Sequence, residues 1–379
     1  MIDPPADRPV LLLCNSGGLG GTERVVLALS KGFAARGLAL EEAIFPEAKR
    51  ETSARFLADA MEAAMETSTA VRDFRLRRNL QHVLALYRLL RSKKARVVNI
   101  NFGNDRISFW DTLAIRLAGV HRRFASVHHA SPFEGIRDRF VTKLGSLFCS
   151  RVVVTIPALT EILVEAGVSQ RKIIEIPLSL SQRTSLSSQH EARKILGLPA
   201  DAFVIGSLGR LVPSKGFDDL VTAVAVVRRE TRPIHLVIGG KGYLENSLRE
   251  FAHAKLGTCA HVLGRIDDPS LLYSACDLFS LASHEEGFGL VFSLRPYSMA
   301  FRALRSTFGG VAYAIARGQT GIVVAHRDLK ALANAIGSLL HDDKERRRMG
   351  AAARERAIRE FGVDNMVDQY RNLRFQTIG

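Results

Sequence analysis

The chain has 379 residues, of which 47% are hydrophobic and 24% are charged. This balance excludes a disordered chain and predicts roughly two to three folded domains. Because 53 Lys and Arg outnumber 38 Asp and Glu, the formal net charge is +15, which predicts an anionic partner such as a phosphorylated ligand, a nucleic acid or an anionic membrane.

The first half of the chain alternates between predicted strands and helices. Residues 10–14 form a short apolar run that is typical of a buried strand. A Gly-rich loop follows, and apolar residues then recur at helical spacing until Gly37. The other elements predicted in this half are a helix over 75–92, strands over 96–101, 124–128, 151–156 and 173–176, and a short helix over 158–166.

A Ser-rich stretch without periodicity, residues 178–190, is the predicted linker between two domains. A second α/β pattern begins after it. Its predicted strands are 203–208, 234–238, 261–263 and 277–281, and its predicted helices are 217–229, 244–254, 329–340, 344–360 and 364–374. The chain is therefore predicted to form two α/β domains of similar size that face each other across a cleft.

Four glycines stand within five residues of the loop after the first strand, at 17–21 (GGLGG). Glycines allow backbone N–H groups to approach a ligand, and the N-terminus of the following helix favours an anion. The loop does not fit the dinucleotide fingerprint GxGxxG, because Glu23 occupies the last position, and it lacks the GK[ST] of a Walker A loop. A tight turn is the alternative, but a turn requires fewer glycines.

Two further loops carry charged side chains directly after predicted strands. Arg210 and Lys215 follow the strand 203–208, and a planar guanidinium with a compact ammonium suits a diphosphate. The loop at 284–291 (HEEGFGLV) follows the strand 277–281, and its carboxylates could accept hydrogen bonds from sugar hydroxyls. The alternatives are a solvated basic loop and an acidic loop with a buried Phe.

Six short motifs occur in an order and spacing that resemble one enzyme family. They are GGTE at 20–23, GRLVPSKGF at 209–217, GKG at 240–242, VLG at 262–264, YSACD at 273–277 and SHEEGFGL at 283–290. Together they are similar to the GT-B family of retaining, nucleotide-sugar-dependent glycosyltransferases, also called family 4 or glycosyl transferases group 1. The resemblance covers nearly the whole chain and is strongest over 200–291.

The resemblance implies two Rossmann-like domains in the GT-B arrangement. Residues 1–180 would form the acceptor-side domain and residues 181–360 the nucleotide-sugar-binding domain. A C-terminal helix within 361–379 would return to the first domain. The resemblance also implies a reaction that needs no metal and no other cofactor, and the Asp-Asp pair at 267–268 is accordingly interpreted as a turn.

The same resemblance implies roles for particular residues. The donor would bind in the cleft, mostly to the second domain, with Arg210 and Lys215 holding its diphosphate. Backbone amides at Gly20 and Gly21 would add to this binding. His128, with the adjacent His129 as the second choice, matches a histidine that lies near the sugar in the family. A histidine whose hydrogen bonds are satisfied within the fold is the alternative. The residues implied to hold the donor sugar are Glu286, Gly287, Phe288, Gly289 and Leu290, and the residues implied to be catalytic are His128 and Glu286.

The segment 294–308 departs from the family pattern. The second acid of the family's E-x7-E motif should stand where this chain has Leu294, and Tyr313 replaces a Glu that often follows a Gly-Gly pair. Leu294 cannot accept a hydrogen bond, and a buried sugar hydroxyl left unpaired would cost about 1–3 kcal/mol. One explanation is a pair of compensating frameshifts, because Leu-Arg-Pro encoded as CTG-AGG-CCN contains GAG-GCC, which encodes the expected Glu-Ala.

The expected reaction is transfer of a sugar, with retention, from a nucleotide-diphosphate-sugar donor to a saccharide or lipid-linked acceptor, in cell-surface polysaccharide synthesis. The alternative is a catalytically impaired glycosyltransferase-like binding protein, and a nucleotide-sugar epimerase on the same fold is a further one. A nucleic-acid partner is not expected, because aromatic residues make up only 7% of the chain and no recognition helix stands out.

The basic segment that begins at Arg72 and ends at Arg96 is the expected contact with an anionic membrane, and a solvated basic helix is its alternative. No stretch approaches the roughly 18 uninterrupted apolar residues of a membrane span, and the N-terminus lacks the pattern of a signal peptide. The four cysteines lie far apart, which fits a reducing compartment. We therefore expect a cytoplasmic protein, and a peripheral position on the inner face of the cell membrane is a second expectation.

Overall fold

The computed structural model describes residues 10–15, 21–37, 40–45, 70–73, 80–94, 96–102, 106–128, 133, 135–179, 188–228, 233–266, 268–284, 299–302, 313, 315–325 and 327–373. Within them the chain forms two parallel β-sheets with connecting helices, so the predicted α/β class is confirmed. The chain divides into two compact units. Unit 1 comprises residues 1–181 and 361–379, and unit 2 comprises residues 182–360.

Unit 1 contains a seven-stranded parallel sheet. In chain order the strands are β1 (Val10–Asn15), β2 (Leu40–Phe45), β3 (Ala70–Asp73), β4 (Val97–Phe102), β5 (Arg122–Val127), β6 (Arg151–Val154) and β7 (Ile173–Glu175). Their order across the sheet is β3-β2-β1-β4-β5-β6-β7. The central strands are apolar and buried on both faces, as a parallel sheet covered by helices requires.

The helices of unit 1 cover both faces of this sheet. They are α1 (Gly21–Ala35), α2 (Leu80–Ser92), α3 (Phe109–Leu117), α4 (Ile136–Leu147) and α5 (Pro157–Glu165). The connection from β1 to β2 steps across the sheet in one direction, and those from β3 to β6 step in the other. Because such crossovers are right-handed, α1 lies on one face and α2, α3 and α4 lie on the other. The last three pack side by side and are called the α2–α4 layer below.

Unit 2 contains a six-stranded parallel sheet with the order β10-β9-β8-β11-β12-β13. The strands are β8 (Phe203–Leu208), β9 (Ile234–Gly239), β10 (Ala260–Gly264), β11 (Leu278–Leu281), β12 (Met299–Arg302) and β13 (Ile322–Val324). The helices are α6 (Gln189–Ile195), α7 (Phe217–Val227), α8 (Glu245–Leu256), α9 (Pro269–Ala275), α10 (Leu329–His341) and α11 (Asp343–Glu360). Although β12 falls in the segment that departs from the family pattern, it pairs in parallel with both β11 and β13.

The motif YSACD at 273–277 has a structural role in unit 2. Tyr273 is buried and its ring packs against Phe279, with ring centroids 5.0 Å apart. The Asp277 carboxylate accepts hydrogen bonds from the Arg193 guanidinium at 2.6 Å and from the backbone N–H of Val204 at 2.8 Å. This carboxylate therefore joins α6 to the start of β8.

A last helix, α12 (Val363–Leu373), packs against α1 of unit 1. Arg36 on α1 forms ion pairs with Asp368 at 2.7 Å and Asp364 at 2.9 Å. The buried hydroxyl of Tyr370 donates to Ser126 Oγ on β5 at 3.1 Å. The helix predicted over 364–374 is thus present, and it completes unit 1 from the far end of the chain.

Several elements were missed by the sequence patterns, among them β2, β3, α3, α4, α6 and α9. Of the pair predicted as a turn, Asp267 lies outside the described residues, and Asp268 is the residue before α9, where its carboxylate caps the helix by accepting from the backbone N–H of Ser270 at 3.0 Å. The Pro at the first helical position favours this start, because its missing N–H is not needed there. In the described part of the chain, no helix is both long and apolar enough to cross a bilayer.

Candidate functional site

Three loops meet at the carboxyl edge of the unit 2 sheet, where β9, β8 and β11 end side by side. The loop after β8 is bonded to the loops on both sides through backbone groups. Leu211 N–H donates to the Lys241 carbonyl after β9 at 3.1 Å, and His284 N–H after β11 donates to the Ser214 carbonyl at 2.7 Å. The β8 loop is therefore fixed on both flanks by its backbone.

Two glycines allow this close packing. Gly216 adopts a left-handed conformation with φ +58°, and a Cβ there would collide with the Ala282 carbonyl oxygen. Gly240 has φ +145°, and a Cβ there would collide with the Gly209 carbonyl oxygen. Because only Gly combines these angles with this approach of backbone to backbone, the motifs GRLVPSKGF and GKG define the local geometry of the edge.

Arg210 and Lys215 both project from this fixed loop. Arg210 is exposed, and within the described residues no side chain or carbonyl is bonded to its guanidinium. Lys215 is half-buried and ends the short 3-10 turn Pro213–Lys215; a Cβ added to Gly209 would lie 3.8 Å from Lys215 Cγ, so the lysine stem lies over that glycine. The edge therefore carries two cations of different shape within six residues, an arrangement suited to a diphosphate.

The sequence analysis includes His284 in the third candidate loop without giving it a role, and it does not single out Asp219. The structure shows that these two residues connect two parts of the same edge. His284 Nε2 lies 3.6 Å from the Asp219 carboxylate in the first turn of α7, and both side chains are about one-fifth exposed. Negative charge in that turn also complements the helix dipole. The contact ties the loop after β11 to the helix that follows Lys215.

His128 lies in unit 1, directly after β5, and is buried. Its Nε2 lies 2.9 Å from Asn101 Oδ1, and Asn101 Nδ2 donates to the Leu13 carbonyl at 3.1 Å. Because the amide nitrogen is used by Leu13, the amide oxygen faces the histidine, and Nε2 carries the proton. Burial lowers the pKa of His128 to about 3, so the ring is neutral near pH 7. Its Nδ1 is a buried acceptor with no partner among the described residues.

The buried Asn side chains of β4 were missed by the sequence analysis. Asn99 Oδ1 accepts from Ser126 Oγ at 2.9 Å, and Asn101 orients His128. A signal was available, because β4 reads VVNINF and places two amides within an otherwise apolar buried strand. Buried amides need hydrogen-bond partners, so they indicate a polar network within the sheet.

Only some of the remaining predicted site residues lie in the part of the chain that the structure describes. Gly21 is the first residue of α1, and its backbone N–H is thus at a helix N-terminus. Tyr313 accepts a hydrogen bond at its carbonyl from Arg356 at 2.9 Å. Among the described residues, no group of three or more His, Cys, Asp or Glu could hold a metal ion. The predicted site residues that lie outside the described residues are Gly20, Glu286, Gly287, Phe288, Gly289 and Leu290, together with the second-choice His129 and with Leu294.

Two family models match the chain one after the other. The model of Glycosyltransferase Family 4 matches residues 19–179, and the model of Glycosyl transferases group 1 matches residues 188–356. The boundary between the two matches falls in the stretch predicted as a linker. Between them the matches include every predicted site residue.

Curated relatives match over part of the chain. The capsular polysaccharide biosynthesis glycosyltransferase CapM of Staphylococcus aureus is 29% identical over 163 residues, which cover 42% of this chain and 43% of CapM. The D-inositol 3-phosphate glycosyltransferase of Corynebacterium urealyticum is 33% identical over 195 residues, which cover 48% of this chain and 46% of the relative. The chain thus covers less than half the length of these relatives.

Solved structures match over nearly the whole chain. Anabaena HepE in complex with UDP aligns with a TM-score of 0.78 at 21% identity, covering 96% of this chain and 98% of HepE. A glycosyltransferase from Rickettsia africae aligns with a TM-score of 0.77 at 17% identity, covering 97% of this chain and 98% of that one. At this identity the likeness establishes the fold.

Proposed function

Because the chain belongs to the glycosyltransferases of family 4 and has their GT-B fold, we propose that it transfers a sugar from a nucleotide-diphosphate-sugar donor to a saccharide or lipid-linked acceptor. The proposed transfer retains the anomeric configuration and serves cell-surface polysaccharide synthesis. The S. aureus relative is named for capsular polysaccharide biosynthesis, and the Anabaena structure contains UDP, which supports this choice of donor and process.

The observation that carries the proposal is the β8 loop of unit 2. Its backbone is fixed by hydrogen bonds on both flanks, and it presents Arg210 and Lys215 at the carboxyl ends of parallel strands. Ligands of open α/β sheets bind at such edges. A guanidinium and an ammonium held there would bind the donor diphosphate and stabilise the negative charge that develops on the leaving nucleotide.

Other residues complete the proposal. Glu286, Gly287, Phe288, Gly289 and Leu290 are proposed to hold the donor sugar, and the backbone amides of Gly20 and Gly21 are proposed to bind phosphate. His128 remains the proposed catalytic histidine together with Glu286. Because its pKa is low, His128 would act as a neutral hydrogen-bonding group through Nδ1 and would not donate a proton as an acid. We propose that no metal ion is needed, so activity should persist in a chelator.

Calorimetric titration with UDP, GDP and ADP and their common sugars tests the donor site. We expect one nucleotide to bind at micromolar concentration. Lys215→Ala removes a charge-assisted hydrogen bond to phosphate, so binding should weaken by roughly 10- to 150-fold. Lys255→Ala is the matched control, because Lys255 lies in the last turn of α8, away from the edge, and binding should be unchanged. Equal binding by all three proteins would contradict the site.

A second candidate function follows from Leu294, which stands where the E-x7-E motif has its second acid. Leu294 cannot accept the hydrogen bond that a carboxylate would, which favours a protein that binds a donor and does not turn it over. Donor binding together with no release of nucleoside diphosphate, across a panel of saccharide and lipid-linked acceptors, would identify this alternative. Leu294→Glu should then strengthen donor binding by about fivefold or more.

A further inference from the structure

The outer surface of the α2–α4 layer carries large apolar side chains that are exposed to solvent. Ile136 is 87% exposed and Leu80 is 74% exposed, values unusual for aliphatic residues in regular helices. All the exposed large apolar residues of these three helices are Leu80 and Leu84 on α2, Trp110 and Leu117 on α3, and Ile136, Phe140 and Leu147 on α4. Because the three helices pack side by side on one face of the sheet, these side chains share one surface.

The spacing on α4 shows that the exposed residues form one stripe. Residues 136, 140, 143 and 147 follow the i, i+4, i+7, i+11 pattern of a single helix face, and three of them are Ile, Phe and Leu. The buried side of the same helix consists of Thr142, Gly145 and Ser146. The polarity of α4 is therefore inverted, with its most apolar face turned away from the sheet.

The same surface is strongly basic. The Lys and Arg residues of α2, α3 and α4 are Arg88, Arg91, Arg116, Arg137, Arg139 and Lys143, all exposed. The only acids on these helices are Asp111, which is buried, and Asp138, which pairs with Arg106 at 2.7 Å. Within the described residues, no carboxylate pairs with any of the six bases. The positive charge of this surface is thus left uncompensated.

We propose that the outer surface of the α2–α4 layer binds an anionic lipid bilayer, with the apolar side chains entering the interface and the bases contacting lipid phosphates. The exposed aliphatic and aromatic groups match the acyl region of a bilayer, and the Arg and Lys among them match its anionic headgroups. A second copy of the chain matches it less well, because pairing two such surfaces would bring uncompensated positive charges together. The proposal adds α3 and α4 to the basic segment between Arg72 and Arg96.

This inference goes beyond the proposed transfer reaction and stands on the surface itself. If both hold, the enzyme acts beside a membrane, which selects a lipid-linked acceptor over a free saccharide. Vesicle binding is measured without any sugar donor, so its failure would leave the donor titration unaffected.

The sole tryptophan of the chain reports on this surface directly, because it is Trp110. The full chain is titrated with phosphatidylcholine vesicles that contain or lack phosphatidylglycerol, at low and high salt. We expect binding to the anionic vesicles alone, weakening with salt, with a blue shift of the tryptophan emission. Lipids brominated in the acyl chain should quench the emission, because Trp110 would lie at the interface.

Two double variants test whether vesicle binding depends on this surface or on any exposed apolar residue. Ile136→Ser with Phe140→Ser should weaken vesicle binding by about tenfold or more, since two apolar side chains no longer leave water. The control is Ile195→Ser with Ile358→Ser, two exposed apolar residues of unit 2, which should bind as the parent does. The proposal is overturned if the anionic vesicles do not bind, if bound protein is not quenched, if both double variants weaken binding equally, or if Trp110 is already shielded in a dimer before lipid is added.

Discussion

The outer helices of the two units have opposite surface chemistry. On α11 of unit 2 five of the six arginines form ion pairs with acids of the same helix, as in Arg347 with Asp343 at 2.9 Å and Arg359 with Glu355 at 3.3 Å. On α4 of unit 1 the bases stand among exposed apolar side chains and lack such acids. The net charge of +15 does not distinguish the two units, because bases outnumber acids in both; the difference lies in whether the bases of these helices are paired with acids.

The carboxyl edges of the two sheets differ as well. In unit 2 the edge is held by backbone hydrogen bonds and by glycines in close contact with neighbouring carbonyls. In unit 1 the corresponding edge is held by buried side chains, with Asn101 joining His128 to β1. One edge is fixed by backbone geometry and the other by side-chain hydrogen bonds, so they should respond to different perturbations.

Gly216→Ala tests the backbone-built edge and should have the largest effect. The left-handed strain and the collision with the Ala282 carbonyl together should lower the free energy of unfolding by about 2–5 kcal/mol. Gly119→Ala in unit 1 is the control, since Gly119 has φ +76° but nothing lies within 4 Å of an added Cβ. Its cost should be about 1–2 kcal/mol. Similar urea midpoints for the two variants would contradict the distinction.

Acidification tests the side-chain-built edge. The pKa of His128 is about 3 in the folded protein and near 6.5 when unfolded, so the unfolded chain takes up a proton first as the pH falls. This stability is fully present above pH 6.5 and is lost as the pH falls from there toward 3. From about pH 7.5 to about pH 5 the loss should be roughly 2 kcal/mol.

His128→Gln should flatten the pH dependence of unfolding by that amount, whatever its own effect on stability at neutral pH. The pair His235 and His261 in unit 2 also has lowered pKa values, chiefly through burial, and supplies a background slope of the same sign. A parallel decline of the variant and the parent in urea titrations would show that His128 is not held neutral.

Arg36→Ala tests how firmly the C-terminal helix is attached to unit 1. Its two carboxylate partners are half-exposed or more, so the loss in unfolding free energy should be at most about 1 kcal/mol. Hydrogen exchange should show faster opening of α12 than in the parent, with little change in α11. Unchanged exchange of α12 would mean that the apolar contacts of that helix suffice.

The smallest expected effects come from single arginine variants that compare the surface of α11 with that of α4. Arg347→Ala on α11 should change neither stability nor vesicle binding, because the residue is exposed and its charge is already compensated. Arg139→Ala on α4 should also leave stability unchanged but weaken binding to anionic vesicles by about fivefold. If Arg347→Ala weakened vesicle binding as much, the bilayer contact would not be specific to the α2–α4 layer.

The sequence predicted well those parts of the fold that depend on residues close together in the chain. The strand predicted over 203–208 is β8 with the same bounds; it begins with the apolar residues Phe-Val-Ile and ends at a loop that contains glycines. That loop was identified from the types and spacing of its residues, and its glycines are now explained by close backbone contacts. Residue types and their spacing within such a short segment are therefore enough to predict a strand and the loop that follows it.

The parts that could not be predicted depend on contacts between distant residues. Tyr370 and Ser126 are 244 positions apart, and Asn101 and His128 are joined only because β4 and β5 are neighbours. The helix α4 was not predicted, and its apolar stripe would in any case be expected to face the sheet, because apolar residues at helical spacing normally mark the buried face. Burial is a property of the assembled unit.

The attachment of α12 to unit 1 has a consequence for synthesis of the protein. The chain leaves unit 1 at residue 181, builds the whole of unit 2, and only then supplies the helix that covers α1. As the polypeptide emerges from the ribosome, the second unit can finish folding while the first still exposes the surface that awaits its last helix. Unit 1 is thus synthesised first but completed last, and a chaperone would need to protect it for longer than unit 2.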